Sequence, residues 1–560
     1  MTAMTLSEAT AHVVATDARF TLDRATVRGV DLPVFKNVPN TLRELQAAGA
    51  EVHGDQDYIV YEGERLTYPA WVAETNRMAR ALYDELGVRK GDRVAIAMRN
   101  YPEYLTLMMA ITAIGGVVVM VNAWWTSDEL AYGFEDSGAQ LVFADGPRAE
   151  RIEGFADRLG VRTVWVRDEA PEGAATYAAL LAGARDGAAP EVEIDTDDDF
   201  AVMYSSGSTG HPKGVVLTHR GAISATYSWF MGFAVIPLMM DPPPTPSAHR
   251  QAILLATPLF HITATHPCFL LSIPLGAKLV MMRKWDADRA VSLVEDEAVT
   301  RFVAVPTMAA DLADAATRLG RSLPTLANIG AGGAKRPAAQ VAEQAAALPN
   351  AVVASGYGMT ETNALGVGIQ GEDYLARPDA AGRLYPPLQE IKIVDDEGAS
   401  APNGTLGEIC LKSATAMRAY LNKPEATAET LRDGWVHTGD LGWLDDDGYL
   451  TIVDRKKNII IRGGENISGL EVEGAIHRHP AVQEAAVIPV PDARLGELVG
   501  AQIMLKPGAA LSDDELIAFL SDKLARFKLP ERIWWTTEPL TRGATDKIDR
   551  RAIRAACIEG

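Results

Sequence analysis

Short apolar runs alternate with segments of helical spacing through the first two-thirds of the chain, and this rhythm limits the possible folds more than any other feature. The runs are three to five residues long and predict strands. They are VAIAM at 94–98, LVFA at 141–144, VWV at 164–166, AILLA at 252–256, KLVMM at 278–282 and FVAVP at 302–306. Segments such as 70–87, closed by Gly87, predict the helices between them. The alternation predicts α/β layers around largely parallel sheets.

The pattern changes near residue 385. EIKIVDDEG and GTLGEICLKS predict short antiparallel strands, and 442–455 predicts a hairpin with its turn at Asp445–Gly448. About a hundred residues of compact strand and helix pattern follow residue 456, among them a capping box of Ser512 and Glu515. We therefore predict a domain boundary at Asp454–Lys457, which fits a chain of 560 residues.

Composition excludes several classes of protein. A net charge of −21 disfavours nonspecific binding to nucleic acid. The three cysteines, Cys268, Cys410 and Cys557, are too far apart in sequence to indicate a disulfide framework or a zinc cluster. The first twenty residues lack a basic segment followed by an apolar one, so no signal peptide is predicted. A cytoplasmic location is expected.

Two uncharged stretches could be mistaken for membrane spans. Residues 104–121 are divided by Gly115-Gly116 into a helix-like half and a strand-like half. Residues 221–240 are long enough to span a bilayer. They contain Pro237 and several polar residues, however, and DPPP follows them. We predict that this second stretch forms the wall of an apolar ligand pocket, and that the protein has no integral membrane span.

A glycine- and hydroxyl-rich loop follows one of the predicted strands. It reads YSSGSTGHPKGV at 204–215, and seven of its twelve residues are Gly, Ser or Thr. Glycines let backbone N–H groups approach an anion closely, and Lys213 adds a positive charge. The loop therefore predicts a phosphate cradle. It is not a Walker A loop, because His211 and Pro212 separate Gly210 from Lys213 and Gly214 follows the lysine.

Four further segments combine polar residues with glycine turns. SGYGMTETN at 355–363 places a carboxylate beside hydroxyls, which suits Mg²⁺ bound to phosphate. HTGDLG at 437–442 offers Asp440 as an acceptor for ribose hydroxyls. DRKKNIIIRGGENIS at 454–468 carries a basic cluster and a Gly-Gly turn, and LTRGATDKIDR at 540–550 carries Lys547. Each segment alone is a weak indication.

Taken together and in this order, these segments resemble the adenylate-forming superfamily of acyl-CoA synthetases, peptide-synthetase adenylation domains and firefly-type luciferases. ATPLFH at 256–261, GYGMTET at 356–362 and YLNKPEAT at 420–427 also match its motifs, and the resemblance covers about residues 40–555. It implies a large N-terminal domain (1–454) of α/β-layered subdomains with a small β-barrel-like subdomain. A hinge (455–457) and a small mobile α+β C-terminal domain (458–560) follow. It also implies formation of acyl-AMP and pyrophosphate from an acid and ATP, and then of a thioester.

The resemblance assigns roles to residues of each motif. It implies that Ser205, Ser206, Gly207, Ser208, Thr209, Gly210 and Lys213 hold the phosphates, that Thr360 touches the α-phosphate, and that Glu361 binds Mg²⁺. It implies a nucleotide site of Gly332, Gly333, Ala334, Tyr357, Gly358 and Met359, with Asp440 and Arg455 at the ribose. Lys547 would bridge the carboxylate and the α-phosphate, Lys457 would be the hinge residue, and Gly463, Gly464 and Lys528 would contact CoA.

The chain departs from the family in two places. Asp546 stands before Lys547 where the family usually has glycine, and it could compete with phosphate for the lysine. The segment GGAKRP at 332–337 lacks the commoner apolar ending.

The acyl pocket is predicted to be apolar. His261 is expected to gate it, and its wall is expected to come from Tyr227, Trp229, Phe230 and Met231, with Phe233 nearby. Between Arg220 and Asp241 there is no carboxylate to pair with a buried ammonium, so amino acids are poor candidates. A fatty or arylalkanoic acid fits best.

We expect CoA to be the acceptor, because no carrier domain is predicted after the C-terminal domain. The alternatives are an acyl-AMP ligase that loads a separate carrier protein, a luciferase-like oxygenase, and an adenylate-binding protein without turnover. The expected partner is a small carboxylic acid rather than nucleic acid, and the protein is expected to be a monomer or homodimer.

Overall fold

The computed structural model describes residues 3–205, 212–241, 248–543 and 547–559. Part of the predicted phosphate loop (Ser206–Gly210) and the unusual Asp546 therefore lie outside the described residues.

The first part of the chain builds a strand-rich N-terminal segment and most of one α/β layer. Its elements are α1 (Leu6–Thr16), β1 (Leu22–Val27), β2 (Val30–Phe35), α2 (Leu42–His53), β3 (Asp57–Tyr61), β4 (Glu64–Thr67), α3 (Tyr68–Arg80), β5 (Arg93–Ala97), α4 (Pro102–Ala113), β6 (Val117–Met120), α5 (Ser127–Ser137), β7 (Leu141–Asp145), α6 (Gly146–Leu159), β8 (Arg162–Val166), α7 (Tyr177–Gly183) and β9 (Asp199–Ser205). Four of the six predicted apolar runs agree with strands to within one residue at each end. VWV lies inside β8, and FVAVP ends two residues beyond the end of β13.

The middle of the chain completes this layer and builds a second one. Its elements are β10 (Lys213–Thr218), α8 (His219–Val235), β11 (Ala252–Leu255), α9 (Ile262–Ala264), α10 (Leu271–Leu275), β12 (Lys278–Met281), α11 (Ala287–Asp296), β13 (Arg301–Ala304), α12 (Pro306–Leu319), β14 (Asn328–Ala331), α13 (Ala338–Ala347), β15 (Val352–Tyr357), β16 (Val367–Gln370), α14 (Gly371–Ala376) and β17 (Arg383–Leu384).

The two layers are mixed sheets with parallel centres. One has seven strands in the order β20-β10-β9-β6-β5-β7-β8, where β20 is Ala419–Tyr420, and the other has nine in the order β17-β16-β15-β14-β13-β11-β12-β3-β4. In the nine-stranded sheet, β15 through β3 pair in parallel, and only the strands at its edges are antiparallel. One buried core contains side chains from both sheets together with nearly all of α4, so it lies between the layers.

A smaller antiparallel sheet follows, as the change of pattern near residue 385 predicts. It is formed by β18 (Glu390–Val394), β19 (Gly407–Lys412), β21 (Leu431–Arg432), β22 (Trp435–Leu444) and β23 (Leu450–Arg455), with α15 (Pro424–Thr430) beside it. A 3-10 turn at Lys456–Asn458 then leads out of the sheet.

The C-terminal part is an α+β unit with its own apolar core. It comprises β24 (Ile460–Arg462), β25 (Glu465–Ile467), α16 (Gly469–His477), β26 (Val482–Asp492), β27 (Gly496–Leu505), α17 (Asp513–Ser521), β28 (Arg532–Thr536) and α18 (Arg550–Glu559). The capping box of Ser512 and Glu515 begins α17, as predicted.

Among the described residues, one helical stretch, His219–Met239, has the length and composition of a membrane-crossing helix. Half of its most apolar window is buried inside the fold, where α8 packs against α1 and α10. Core helices of folded proteins show the same burial. The absence of an integral span stays a prediction.

Candidate active site

The carboxyl ends of the parallel strands in the nine-stranded sheet meet at one edge, and the described candidate residues gather there. His261 follows β11, Gly332 and Gly333 follow β14, and Tyr357 ends β15. Ligands of open α/β sheets bind in the crevice outside these strand ends. Topology therefore brings together motifs that are about a hundred residues apart in sequence.

Lys547 reaches this edge from the C-terminal domain. Its Nζ lies 3.3 Å from Nε2 of His261. Gly333 leaves room for the lysine, because a Cβ built there would lie 3.1 Å from Cε of Lys547. The structure thus has the C-terminal domain in the pose that puts Lys547 in the crevice.

Both Lys547 and His261 have pKa values below the ordinary values of their side chains. Burial, and secondarily the charge of Arg455, lower the pKa of Lys547 to about 8. Burial and then Lys547 lower the pKa of His261 well below its ordinary value, so the imidazole is neutral at pH 7. Nδ1 of His261 accepts the backbone N–H of Thr263 at 3.2 Å, which leaves the ring proton on Nε2, facing the lysine. A bound anion would raise the pKa of Lys547 and so favour its charged form.

A tyrosine, an aspartate and an arginine form the second cluster. The Tyr357 hydroxyl donates to Oδ2 of Asp440 at 2.7 Å, and Nε of Arg455 lies 3.2 Å from Oδ1 of the same carboxylate. Asp440 and Arg455 are register partners on β22 and β23, which explains their proximity. Burial, and next the charge of Asp440, raise the pKa of Tyr357 well above its ordinary value, so it stays a hydrogen-bond donor.

Glu361 lies in a 3-10 turn, Thr360–Thr362, that follows Tyr357, Gly358 and Met359. Gly358 is required at the start of this turn, because an added Cβ would lie 2.1 Å from the backbone oxygen of Ala364. Oε1 of Glu361 accepts the Tyr420 hydroxyl at 2.6 Å. The turn therefore presents a buried carboxylate beside the hydroxyl of Thr360.

Tyr420 is the residue that sequence reasoning missed. Besides its bond to Glu361, its ring lies under Lys213, whose Nζ is 4.8 Å from the ring centroid. Pairing of Val215 with Tyr420 between β10 and β20 creates this contact. The one indication of Tyr420 in the sequence is that it is the first residue of the YLNKPEAT motif.

The described part of the phosphate loop flanks this cluster. Ser205 ends β9 and Lys213 begins β10, and these antiparallel strands bring the two residues opposite each other. The Ser205 hydroxyl donates to the backbone oxygen of Lys213 at 3.4 Å.

Lys457, predicted only as the hinge residue, also carries its side chain into this charged region. Burial, and then the charges of Arg455 and Lys213, lower the pKa of Lys457 to about 8, although Asp440 and Glu361 oppose the shift.

Asp454 joins the large domain to the small one. This buried residue stands near the end of β23, and its Oδ2 accepts the Ser468 hydroxyl at 3.0 Å and the Leu470 N–H at 3.1 Å. Ser468 is the N-cap of α16, so a side chain from before the predicted hinge caps a helix that follows it.

The residues predicted to contact CoA make their contacts within the C-terminal domain. Gly463 and Gly464 form the turn between β24 and β25 with φ of 60° and 91°, a region of backbone conformation that favours glycine. Nζ of Lys528 pairs with Glu471 at 2.7 Å. Their role stays a prediction.

The predicted acyl wall divides between two faces of α8. Tyr227 and Phe230 pack on the N-terminal segment, where ring centroids of Tyr227 and Phe35 are 6.4 Å apart and those of Phe20 and Phe230 are 5.7 Å apart. Phe233 instead faces β13, and Trp229 shares its helix face four residues earlier. Met231 is buried in the core.

Two family models match the chain. The model described as AMP-binding enzyme matches residues 46–421, and the model described as AMP-binding enzyme C-terminal domain matches residues 471–545.

Individual relatives cover nearly the whole chain. The long-chain-fatty-acid–CoA ligase FadD13 of Mycobacterium tuberculosis (strain ATCC 25618 / H37Rv) is 35% identical over 503 residues, 88% of this chain and 93% of the relative. The 4-coumarate–CoA ligase 3 of Oryza sativa subsp. japonica is 32% identical over 505 residues, 89% of this chain and 88% of the relative.

Solved structures agree with this likeness. The o-succinylbenzoate CoA synthetase of Bacillus subtilis, in complex with its acyl-adenylate intermediate, superposes with a TM-score of 0.76 at 29% identity, covering 91% of this chain and 97% of that one. The chain therefore belongs to the AMP-binding enzyme family as an adenylate-forming acyl-CoA ligase, which activates a carboxylic acid as acyl-AMP and transfers the acyl group to CoA.

Proposed function

We propose that the crevice at the carboxyl ends of β11, β14 and β15 is the adenylation centre, and that Lys547 is its catalytic cation. The observation that carries the proposal is the position of Lys547, buried against Gly333 and 3.3 Å from His261 although it comes from another domain. A buried lysine without an anion is costly, so its burial indicates that an anionic substrate completes the site.

The nucleotide would lie across the two polar clusters. Asp440 accepts the ribose hydroxyls with Arg455 beside it, and Gly332, Gly333, Ala334 and Tyr357 border the adenine together with Gly358 and Met359. The phosphates would extend toward Ser205 and Lys213 and toward the Ser206–Gly210 segment. The support is that Asp440 is already oriented by Tyr357 and Arg455.

The Glu361 turn fits a Mg²⁺ ion bound through phosphate. Tyr420 holds one carboxylate oxygen of Glu361 and so orients the other. The described residues contain no group of three or more His, Cys, Asp or Glu side chains that could hold a metal, and Mg²⁺ commonly takes one or two carboxylates plus substrate phosphates. When bound, Mg²⁺ neutralises charge on the phosphate oxygens.

In the first half-reaction an oxygen of the acid attacks the α-phosphorus, and the bond to the pyrophosphate oxygen breaks. Lys547 and Thr360 hold the α-phosphate as charge develops on it, which lowers the barrier electrostatically. In the second, the thiol sulfur of CoA attacks the acyl carbon and AMP leaves. The hinge at Lys457 would turn the C-terminal domain so that Gly463, Gly464 and Lys528 line the thiol path.

The acid is proposed to have a largely apolar body, because Trp229 and Phe233 lie on the face of α8 toward β13 and Met231 on the same helix is also apolar. FadD13 and the rice enzyme are named for a long-chain fatty acid and for 4-coumarate, and both fit a fatty or arylalkanoic acid. CoA rather than a carrier protein is the proposed acceptor, by analogy with the names of these relatives. A cytoplasmic location and a monomeric or homodimeric state stay predictions.

A panel of carboxylic acids assayed for AMP formation with and without CoA tests this function. We expect AMP to accumulate at catalytic rates only when an acid, ATP, Mg²⁺ and CoA are all present, with one thioester formed per AMP. AMP formation that needs a carrier protein instead of CoA would favour the acyl-AMP ligase. Absence of turnover with every acid would favour an adenylate-binding protein.

The pH dependence of adenylation should report Lys547. Because its pKa in the free protein is lowered to about 8, the cation that binds phosphate is present below pH 8 and is lost above it. We expect kcat/KM for ATP to fall above about pH 8, by up to tenfold per pH unit, in pyrophosphate-release assays. Lys457 also has a pKa of about 8. The Lys457→Met variant should keep the inflection, and a flat profile up to pH 10 would contradict the assignment.

A further inference from the structure

One face of β13 brings a cation toward the predicted acyl pocket. Side chains alternate along a strand. Phe302 and Ala304 are buried in the core behind the sheet, whereas Arg301 and Val303 are on the other face and only partly buried. Val303 packs on the core that α8 shares. Arg301 is therefore on the side of the nine-stranded sheet that faces α8.

The guanidinium of Arg301 has aromatic and weakly polar surroundings. Its central carbon lies 5.4 Å from the centroid of Phe233 on α8. Burial lowers the pKa of Arg301, and among the described residues the groups that oppose this shift are Tyr385 and Cys268 rather than an Asp or Glu. In the part of the chain that the structure describes, its buried Nε has no hydrogen-bond partner.

The neighbouring strand extends this polar patch. Asn328 on β14 is the register partner of Arg301. Its amide oxygen is likewise buried and, among the described residues, without a hydrogen bond. The buried Nε of Arg301 and the amide oxygen of Asn328 are thus two unsatisfied polar atoms on adjacent strands, beside the ring of Phe233.

The position of Arg301 along β13 gives its distance from the crevice in which the acid would react. The strand ends at Ala304, near the crevice that holds His261 and Lys547, and Arg301 lies three residues earlier. At the usual rise per residue this is about 10 Å deeper along the strand. A substrate whose carboxylate reacts beside Lys547 would extend its far end toward Arg301.

We propose that Arg301 binds a second carboxylate at the far end of the acid substrate. This inference rests on the proposed function. It adds a second carboxylate to the proposed acid, so that the preferred substrate is a dicarboxylic acid with an apolar middle. A partly buried guanidinium with an unpaired Nε favours an anion beside it, and its planar shape matches a carboxylate with two parallel hydrogen bonds. Phe233 would pack on the guanidinium and on the adjoining methylene groups.

Matched pairs of acids test the proposal. CoA-dependent AMP formation is measured with dicarboxylic acids from succinate through sebacate and with monocarboxylic acids of equal length, butanoate through decanoate. We expect the best diacid to exceed its matched monoacid in kcat/KM by roughly 10- to 100-fold, the range for a hydrogen bond to a charged group.

Three variants assign the preference to Arg301. Arg301→Met should lower kcat/KM for the diacid by a similar factor and leave the monoacid unchanged or better. Arg301→Lys should retain part of the diacid preference. Arg321→Met is the matched control, because Arg321 is an exposed arginine paired with Glu295, and it should preserve the wild-type ratio.

The outcomes separate this proposal from the proposed function. If monoacids are turned over and no diacid is preferred, the function stands and this inference fails. If Arg301→Met lowers both classes equally although its thermal unfolding is unchanged, Arg301 has a structural role and the inference fails as well. If Arg301→Met does not fold, the proposal is decided by the ratio of kcat/KM for the diacid to kcat/KM for the matched monoacid, measured in the wild type and in Arg301→Lys. If no acid supports AMP formation, both proposals fail.

Discussion

Replacement of Lys547 by alanine is expected to reduce acyl-AMP formation from acid and ATP by at least 100- to 1,000-fold, roughly the cost of removing one electrostatic stabiliser of a transition state. The lysine is the cation that the C-terminal domain brings to the strand ends, and its side chain occupies the space above Gly333. Pyrophosphate release measures this half-reaction directly.

The second half-reaction should be spared by the same change. Thioester formation from preformed acyl-AMP and CoA uses another face of the C-terminal domain in the proposed mechanism, so its rate should stay within about twofold of wild type. Lys523→Ala, which removes a lysine two residues beyond the end of α17, controls for loss of a positive charge from the C-terminal domain. Equal loss in both half-reactions would contradict the role of Lys547.

The second large effect is expected at the predicted hinge. Lys457 lies in the 3-10 turn Lys456–Asn458, and proline's fixed φ of about −65° falls within the range of 3-10 turns. Lys457→Pro should therefore be compatible with the present pose and oppose rotation out of it. We expect adenylation to survive at least in part and thioester formation from preformed acyl-AMP to fall by roughly 100-fold or more.

Lys457→Ala separates the backbone effect from loss of the side chain, which lies near Arg455, Asp440, Lys213 and Glu361. Only the loss seen with proline beyond that seen with alanine is assigned to the hinge. Proline also disfavours the helical conformation that Lys456 has in this turn, so we expect adenylation to be slowed as well, although less than thioester formation. Overall turnover at the alanine level would show that the backbone does not have to rotate at Lys457.

Local signals in the sequence predicted most of the fold. The Gly115-Gly116 pair separates α4 from β6, because Gly115 adopts a φ of 72° after the last helical turn. The apolar runs became strands because they are too short for buried helices and are bounded by turn residues. The large domain, the antiparallel sheet and the α+β C-terminal part were all predicted from changes in the spacing of apolar residues along the chain.

Contacts between distant strands could not be predicted in this way. Tyr420 reaches Glu361 only because β20 pairs with β10, about two hundred residues earlier. Arg301 directly precedes the predicted strand FVAVP, and its position on the α8 side depends on which face of β13 meets the core. The phosphate-loop residues Ser206–Gly210 and Asp546 lie outside the described residues, so their roles stay predictions.

The cap that Asp454 places on α16 bears on where the chain could be cut into separate domains. A fragment that began at residue 458, just after the predicted hinge, would keep Ser468 at the start of the helix but lose the carboxylate that bonds to Ser468 and Leu470. Loss of one capping interaction typically costs about 1 kcal/mol, a large share of the stability of a small domain. The better cleavage point therefore lies before Asp454, with the end of β23 retained on the C-terminal fragment.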